Sequence, residues 1–176
     1  MSALISYQIG ILQAYKPSSG EMNLEVLVLS STREAARNRA FVTENMGKDM
    51  DMKIPVVIGG ENLRETIERV KVKDYSTIFA TPDRFLDIFH RGALSLDSLK
   101  ILILDGLDEL IDRGFLDSTT EILSLLPDAL DENDGCPFST QIIAKISKMT
   151  TEVQKFIHSY FPSAVHLVAP TIPLRS

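Results

Sequence analysis

The chain has 176 residues, 44% of them hydrophobic and 24% charged, with one cysteine and a formal net charge of −6. That is the size of a single globular domain, too apolar for intrinsic disorder and long enough to bury a core without a disulfide or metal staple. Eighteen basic residues against 24 acidic ones argue against coating nucleic acid or an anionic membrane by bulk charge, and the lone Cys136 excludes an internal disulfide and a Cys-rich zinc site.

In chain order, the hydrophobic pattern alternates short apolar runs with longer amphipathic stretches. Strands are predicted over Glu25–Leu29, Ile54–Ile58, Thr77–Ala80, Lys100–Leu104, Gln141–Ile146 and Val165–Val168. Helices are predicted over Ala3–Tyr15, Thr32–Gly47, Glu61–Lys73, Pro82–Arg91, Ser118–Leu126 and Thr150–Phe161. Runs such as VLVL and ILIL are continuously apolar, the signature of parallel strands buried on both faces. The expectation is an α/β domain with a central parallel sheet sandwiched by helices. Lys16–Gly20 and Asp128–Pro137 read as loops, the second an acidic surface loop without a basic residue. No apolar run reaches the ~18 residues of a membrane span. Met1-Ser2-Ala3 carries no basic residue ahead of an apolar stretch, so a secretory signal is not expected and the domain is read as intracellular, cytoplasmic or nuclear. His90, His158 and His166 show no metal-ligand spacing.

Parallel α/β sheets place ligands where strands hand over to helices at their C-terminal ends. Four such junctions stand out. After the first strand, Ser31 and Glu34 have the S-x-x-E spacing of a capping box, while Thr32, Arg33 and free amides there could hold a phosphate. Gly59-Gly60 follows the second strand and serves either a plain turn or close backbone approach. Thr81, Pro82 and Asp83 suit a helix start, with Thr81 as N-cap. The fourth junction is Asp105-Gly106-Leu107-Asp108. An acidic residue ending a buried strand can hold magnesium through water or can cap the segment after it.

Taken in order, these junctions resemble the first RecA-like domain of DEAD-box RNA helicases of the translation initiation factor 4A type. The likeness runs from about Leu4 to Val168. It rests on STRE (Ser31–Glu34) for PTRE, IGG (Ile58–Gly60), TPDR (Thr81–Arg84) for TPGR and LDGLDEL (Leu104–Leu110) for the LDEADEM stretch. Arg113-Gly114-Phe115 matches the RGF that commonly comes after it, and Thr140–Ile143 matches the strand before the SAT motif. The resemblance implies a RecA-like, P-loop NTPase type sheet. It also implies RNA-backbone contacts at Thr32, Arg33, Gly59, Gly60, Thr81 and Arg84.

The departures bear on activity. The family uses ATP and magnesium, with the phosphates cradled on a glycine-rich loop, but no G-x-x-x-x-G-K-[S/T] run occurs in these residues. The strand leading into that loop is expected to be missing from the sheet. The chain is expected to begin about where the loop would end, and to leave no room for a second lobe. In the box, Gly106 replaces the glutamate expected to activate water. Asp105, a remnant of the magnesium-associated position, and Asp108 remain, with Leu107 between. Ile146, Ser147 and Lys148 stand at the SAT position, where Lys148 is expected to pair with Asp108. Asp83 replaces a glycine and would repel phosphate at a helix N-terminus.

The expectation is therefore a non-catalytic pseudo-helicase lobe without cofactor or metal, acting as a protein-interaction module in RNA metabolism. The alternatives are a weak single-stranded RNA-binding remnant and a fragment of an ATP-dependent RNA helicase. A protein partner is expected, with neither DNA nor membrane.

Overall fold

The computed structural model describes residues 6–14, 24–50, 52–71, 75–127 and 139–162. The predicted strand Val165–Val168, the acidic loop at 128–137 with Cys136, and the loop at 16–20 lie outside the described residues.

Five strands form one sheet: β1 (Val26–Ser30), β2 (Val56–Val57), β3 (Thr77–Ala80), β4 (Ile101–Asp105) and β5 (Gln141–Lys145). Their order is β2-β3-β1-β4-β5, and every pairing is parallel. Among the described residues β5 is an edge strand, as is β2. The helices are α1 (Ser6–Ala14), α2 (Arg33–Met46), α3 (Leu63–Lys71), α4 (Pro82–His90), α5 (Leu107–Asp112), α6 (Leu116–Ser124) and α7 (Thr151–Tyr160).

Strand parity divides the core in two, because successive side chains point to opposite faces. Leu27, Leu29, Ile78, Ala80, Leu102 and Leu104 pack with Val70, Phe85, Ile88, Leu107, Leu110, Ile122, Val153 and Phe156 under α3 to α7. Val26, Val28, Phe79 and Ile103 face the other way, against Tyr7 and Ile11 of α1 and Ala36 and Ala40 of α2. β1 and β3 are buried along their whole length, as continuously apolar strands require. Phe79 and Phe85 are completely buried, each contributing roughly 1.5–3 kcal/mol over an exposed position.

The predicted order of elements stands, with local differences. β4 runs one residue past the expected end, so Asp105 belongs to the strand and lies in register with Ser30 on one side and Lys145 on the other. β2 shrinks to two residues. α5 was not foreseen: its six residues, LDELID, are too few to show a helical period.

The chain leaves β1 towards the α1/α2 face, whereas it leaves β3 and β4 towards the opposite face. This divergence opens a crevice at the C-terminal strand ends.

Candidate nucleic-acid interface

The crevice is a cleft of about 460 Å³ lined by Ser31, Thr32, Arg33, Glu34, Gly59, Thr81, Asp83, Arg84, Arg113 and Phe115. Several strand-to-helix junctions therefore converge on one place. Five of the six residues implied to touch RNA line it, and the sixth, Gly60, lies against the Arg33 side chain.

The junctions are built differently from the simple caps that the sequence suggests. The capping box of Ser31 and Glu34 does not form. Thr32 is the N-cap of α2, its hydroxyl accepting from the Ala35 N–H at 3.0 Å. Ser31 is one residue too early, and its hydroxyl donates instead to Glu109 Oε2 at 2.9 Å. Thr81 holds the N-cap position of α4 with Pro82 following, yet its side chain makes no capping bond.

Arg33 starts α2 and has no hydrogen-bond or ion-pair partner among the described residues. Its guanidinium lies along the Gly59-Gly60 turn. A Cβ placed at Gly60, where φ is +83°, would sit 2.5 Å from Arg33 Nη1. Left-handed backbone and close approach thus both call for glycine at this position.

Arg84 is employed otherwise. Its Nη2 donates to the Glu61 carbonyl at 2.6 Å and its Nε to the Ile58 carbonyl at 3.2 Å, while Nη1 meets Asp87 at 3.2 Å. Only 13% of the side chain is exposed, and its donors hold the Gly59-Gly60 turn in place. Glu61 is itself clamped by Arg37 and Arg69, at 3.0 and 2.6 Å. Burial pushes the Glu61 carboxyl up, but the bonds and charges of Arg69 and Arg37 outweigh it and hold it below its ordinary value. Asp83 lines the cleft and accepts a hydrogen bond from the Ser118 hydroxyl on α6. Arg113 and Phe115 stood out in the sequence only as an RGF match; their side chains complete the far wall.

Of the degenerate box, Asp105 turns to the α1/α2 face at the same strand ends, whereas Leu107 packs on the opposite face. Asp105 is 6% exposed, and each of its oxygens has a cation: Oδ2 meets Arg39 Nε of α2 at 2.9 Å, and Oδ1 meets Lys145 Nζ of β5 at 3.3 Å. Burial alone would lower the Arg39 pKa, but the hydrogen bond and charge of Asp105 reverse this and raise it. Tyr7 of α1 lies beside the pair. Burial first, and then the Asp105 charge, push its pKa up, so the hydroxyl stays protonated. The buried hydroxyls of Tyr7 and Ser30 have no partner in hydrogen-bond geometry among the described residues.

Gly106, at φ +92°, is the left-handed N-cap of α5. Leu107 is fully buried in the core. Asp108 is 5% exposed and does not pair with the Lys148 side chain as expected. Its carboxylate instead accepts the backbone N–H groups of Ser147 and Lys148, at 3.3 and 2.8 Å. These two residues lie just past the end of β5, so their amides turn towards α5 while their side chains stay exposed.

Comparison with known proteins agrees with this fold. The DEAD/DEAH box helicase family model matches residues 5–151. The ATP-dependent RNA helicase FAL1 of Candida albicans is 29% identical over 86% of this chain and 38% of its own length. Eukaryotic initiation factor 4A of Zea mays is 34% identical over 67% of this chain and 28% of its own. The crystal structure of a DEAD box protein from Methanococcus jannaschii superposes with a TM-score of 0.77 and 24% identity, covering 92% of this chain and 40% of that one. The chain thus spans less than half the length of these proteins. With the family model matching residues 5–151 and five parallel strands in RecA-like order, this chain belongs to the DEAD/DEAH box helicase family.

Proposed function

We propose that these residues form a non-catalytic DEAD-box lobe whose cleft grips the sugar-phosphate backbone of single-stranded RNA weakly. The observation that carries the RNA reading is Arg33: a cation without a partner among the described residues, laid along a glycine turn and facing a cleft. Phosphate contacts of this kind are independent of sequence and sensitive to salt. Arg113 adds a second cation, whereas Arg84 acts by holding the Gly59-Gly60 turn. Glu34 and Asp83 oppose the two cations, which keeps affinity low. The Ser118 hydroxyl donates to Asp83 and disperses part of its charge, so the cleft is not closed to phosphate.

The absence of catalysis rests on Gly106, which offers no proton acceptor where the family box carries a glutamate. Losing such a group costs factors of about 10²–10⁴ in rate. This replacement is internal to the chain. It therefore holds equally if the residues are a fragment of a longer helicase. A role as a protein-interaction module in RNA metabolism has an observation of its own: α2 exposes Phe41, Val42 and Met46, with Phe41 at 66%, and exposed apolar side chains grouped on one helix mark partner surfaces.

The test is a titration of fluorescent single-stranded RNA at low and at physiological salt. Binding that weakens with salt and is lost in the Arg33→Ala, Arg113→Ala double variant supports the RNA reading. An absence of binding even at low salt refutes it and leaves the exposed face of α2 as the site to pursue.

A further inference from the structure

The residues around Asp105 do not suit the divalent cation that this family uses. A hydrated magnesium ion takes one or two carboxylates with room for its waters. Here both oxygens of the single carboxylate are engaged, one by Arg39 and one by Lys145. A dication brought to Asp105 would meet two fixed positive charges within a few ångströms, in a site sheltered from bulk water where like charges repel strongly.

We propose that Arg39 and Lys145 replace the divalent cation at Asp105, forming a metal-independent charge lock that ties α2 to β4 and β5. Three observations place the lock. Sheet register sets Ser30, Asp105 and Lys145 in one row across β1, β4 and β5. Strand parity turns this row to the face covered by α1 and α2, since Val28, Ile103 and Ile143, two positions earlier on each strand, pack on that side. Arg39 then comes down from α2 beside the buried face marked by Ala36 and Ala40. Arg39 and Lys145 each donate a hydrogen bond to the carboxylate, with the Tyr7 hydroxyl beside them. The lysine expected to make a static contact, Lys148, is not involved. Lys145, three residues earlier on the strand itself, makes it, and with Asp105 rather than Asp108.

This inference extends the non-catalytic part of the proposed function and is independent of RNA binding in the cleft. Its test is therefore a metal readout with no RNA present. Manganese, a paramagnetic stand-in for magnesium, is titrated into the full chain while solvent proton relaxation is followed, and thermal melting is recorded with and without millimolar magnesium. The lock predicts no bound manganese and no magnesium-dependent shift in melting. It also predicts that Lys145→Met and Arg39→Met each lower the melting temperature, and that in an Asp105→Asn background the same changes lose most of their effect. Manganese binding that disappears in Asp105→Asn, or a melting temperature raised by magnesium in the wild type, would overturn the lock. So would a Lys145→Met effect of the same size with and without the Asp105→Asn change, because the lysine would then act elsewhere. Loss of RNA binding alone would leave the lock standing.

Discussion

Two regions a few residues apart at the same strand ends treat their charges in opposite ways. In the cleft, Arg33 is left without a partner among the described residues, so its donors face open space, and Thr81 makes no capping bond. Behind it, at Asp105, the available charge is consumed by other parts of the chain: two cations on one carboxylate, and two backbone amides on Asp108. A site kept for a ligand leaves polar groups for that ligand to satisfy, whereas a site turned into structure satisfies them internally. On the reading proposed above, the difference sets a cleft kept for RNA apart from a box whose charges are taken up by the fold.

The contrast can be broken most sharply at Asp105. Replacing it with alanine strands Arg39 and Lys145 in a half-buried setting and should cost about 3 kcal/mol, measured by urea denaturation. A cost below about 0.5 kcal/mol would show that the pairing is surface-like. Asp108→Ala comes next, with an expected loss of about 2 kcal/mol, since two N–H groups lose a charged acceptor. Lys148→Ala should stay within about 0.5 kcal/mol, because only its backbone takes part. If the two variants lose stability equally, the contact runs through the lysine side chain after all.

Restoring the box glutamate by Gly106→Glu should cost about 1–2 kcal/mol, the strain of a side chain at φ +92°. Phosphate-release assays should find no ATP hydrolysis in this variant. Arg33→Ala should leave stability unchanged within about 0.5 kcal/mol while weakening RNA binding, because the side chain has no structural bond to lose. The smallest effect concerns pH. Glu61 titrates below its ordinary value in the fold, so its contribution is complete above the unfolded carboxylate pKa of about 4.3 and is lost as pH falls through the folded value. Being partly exposed, it should be worth only a few tenths of a kcal/mol. Glu61→Gln should lower stability by that amount at neutral pH and flatten the acid part of the unfolding curve, with the two proteins converging below the folded value.

The sheet was legible because buried parallel strands read as unbroken apolar runs such as VLVL and ILIL, with a punctuating residue at each junction. The cleft residues were legible too, since each came from a strand-to-helix junction. What each side chain does there was hidden. Ser31 and Thr32 both suit an N-cap, and a shift of one residue decided which capped the helix and which reached Glu109. Arg84 looked like a phosphate ligand, but its donors are taken by carbonyls 23 and 26 residues away. Arg39 and Lys145 carried no motif at all. Their meeting at Asp105 depends on register between strands and on the angle at which α2 crosses the sheet, neither of which local sequence encodes.

The most direct measurement is a pair of NMR titrations on isotope-labelled protein, one with a short single-stranded RNA at low salt and one with magnesium and ATP. The account predicts that RNA moves the amide signals of Arg33, Gly59, Gly60 and Thr81 while leaving Asp105 and Lys145 in place, and that magnesium with ATP moves neither group. Saturable shifts at Asp105, Gly106 and Lys145 on adding magnesium and ATP would contradict it, for the site described as closed would then still be taking its ligand.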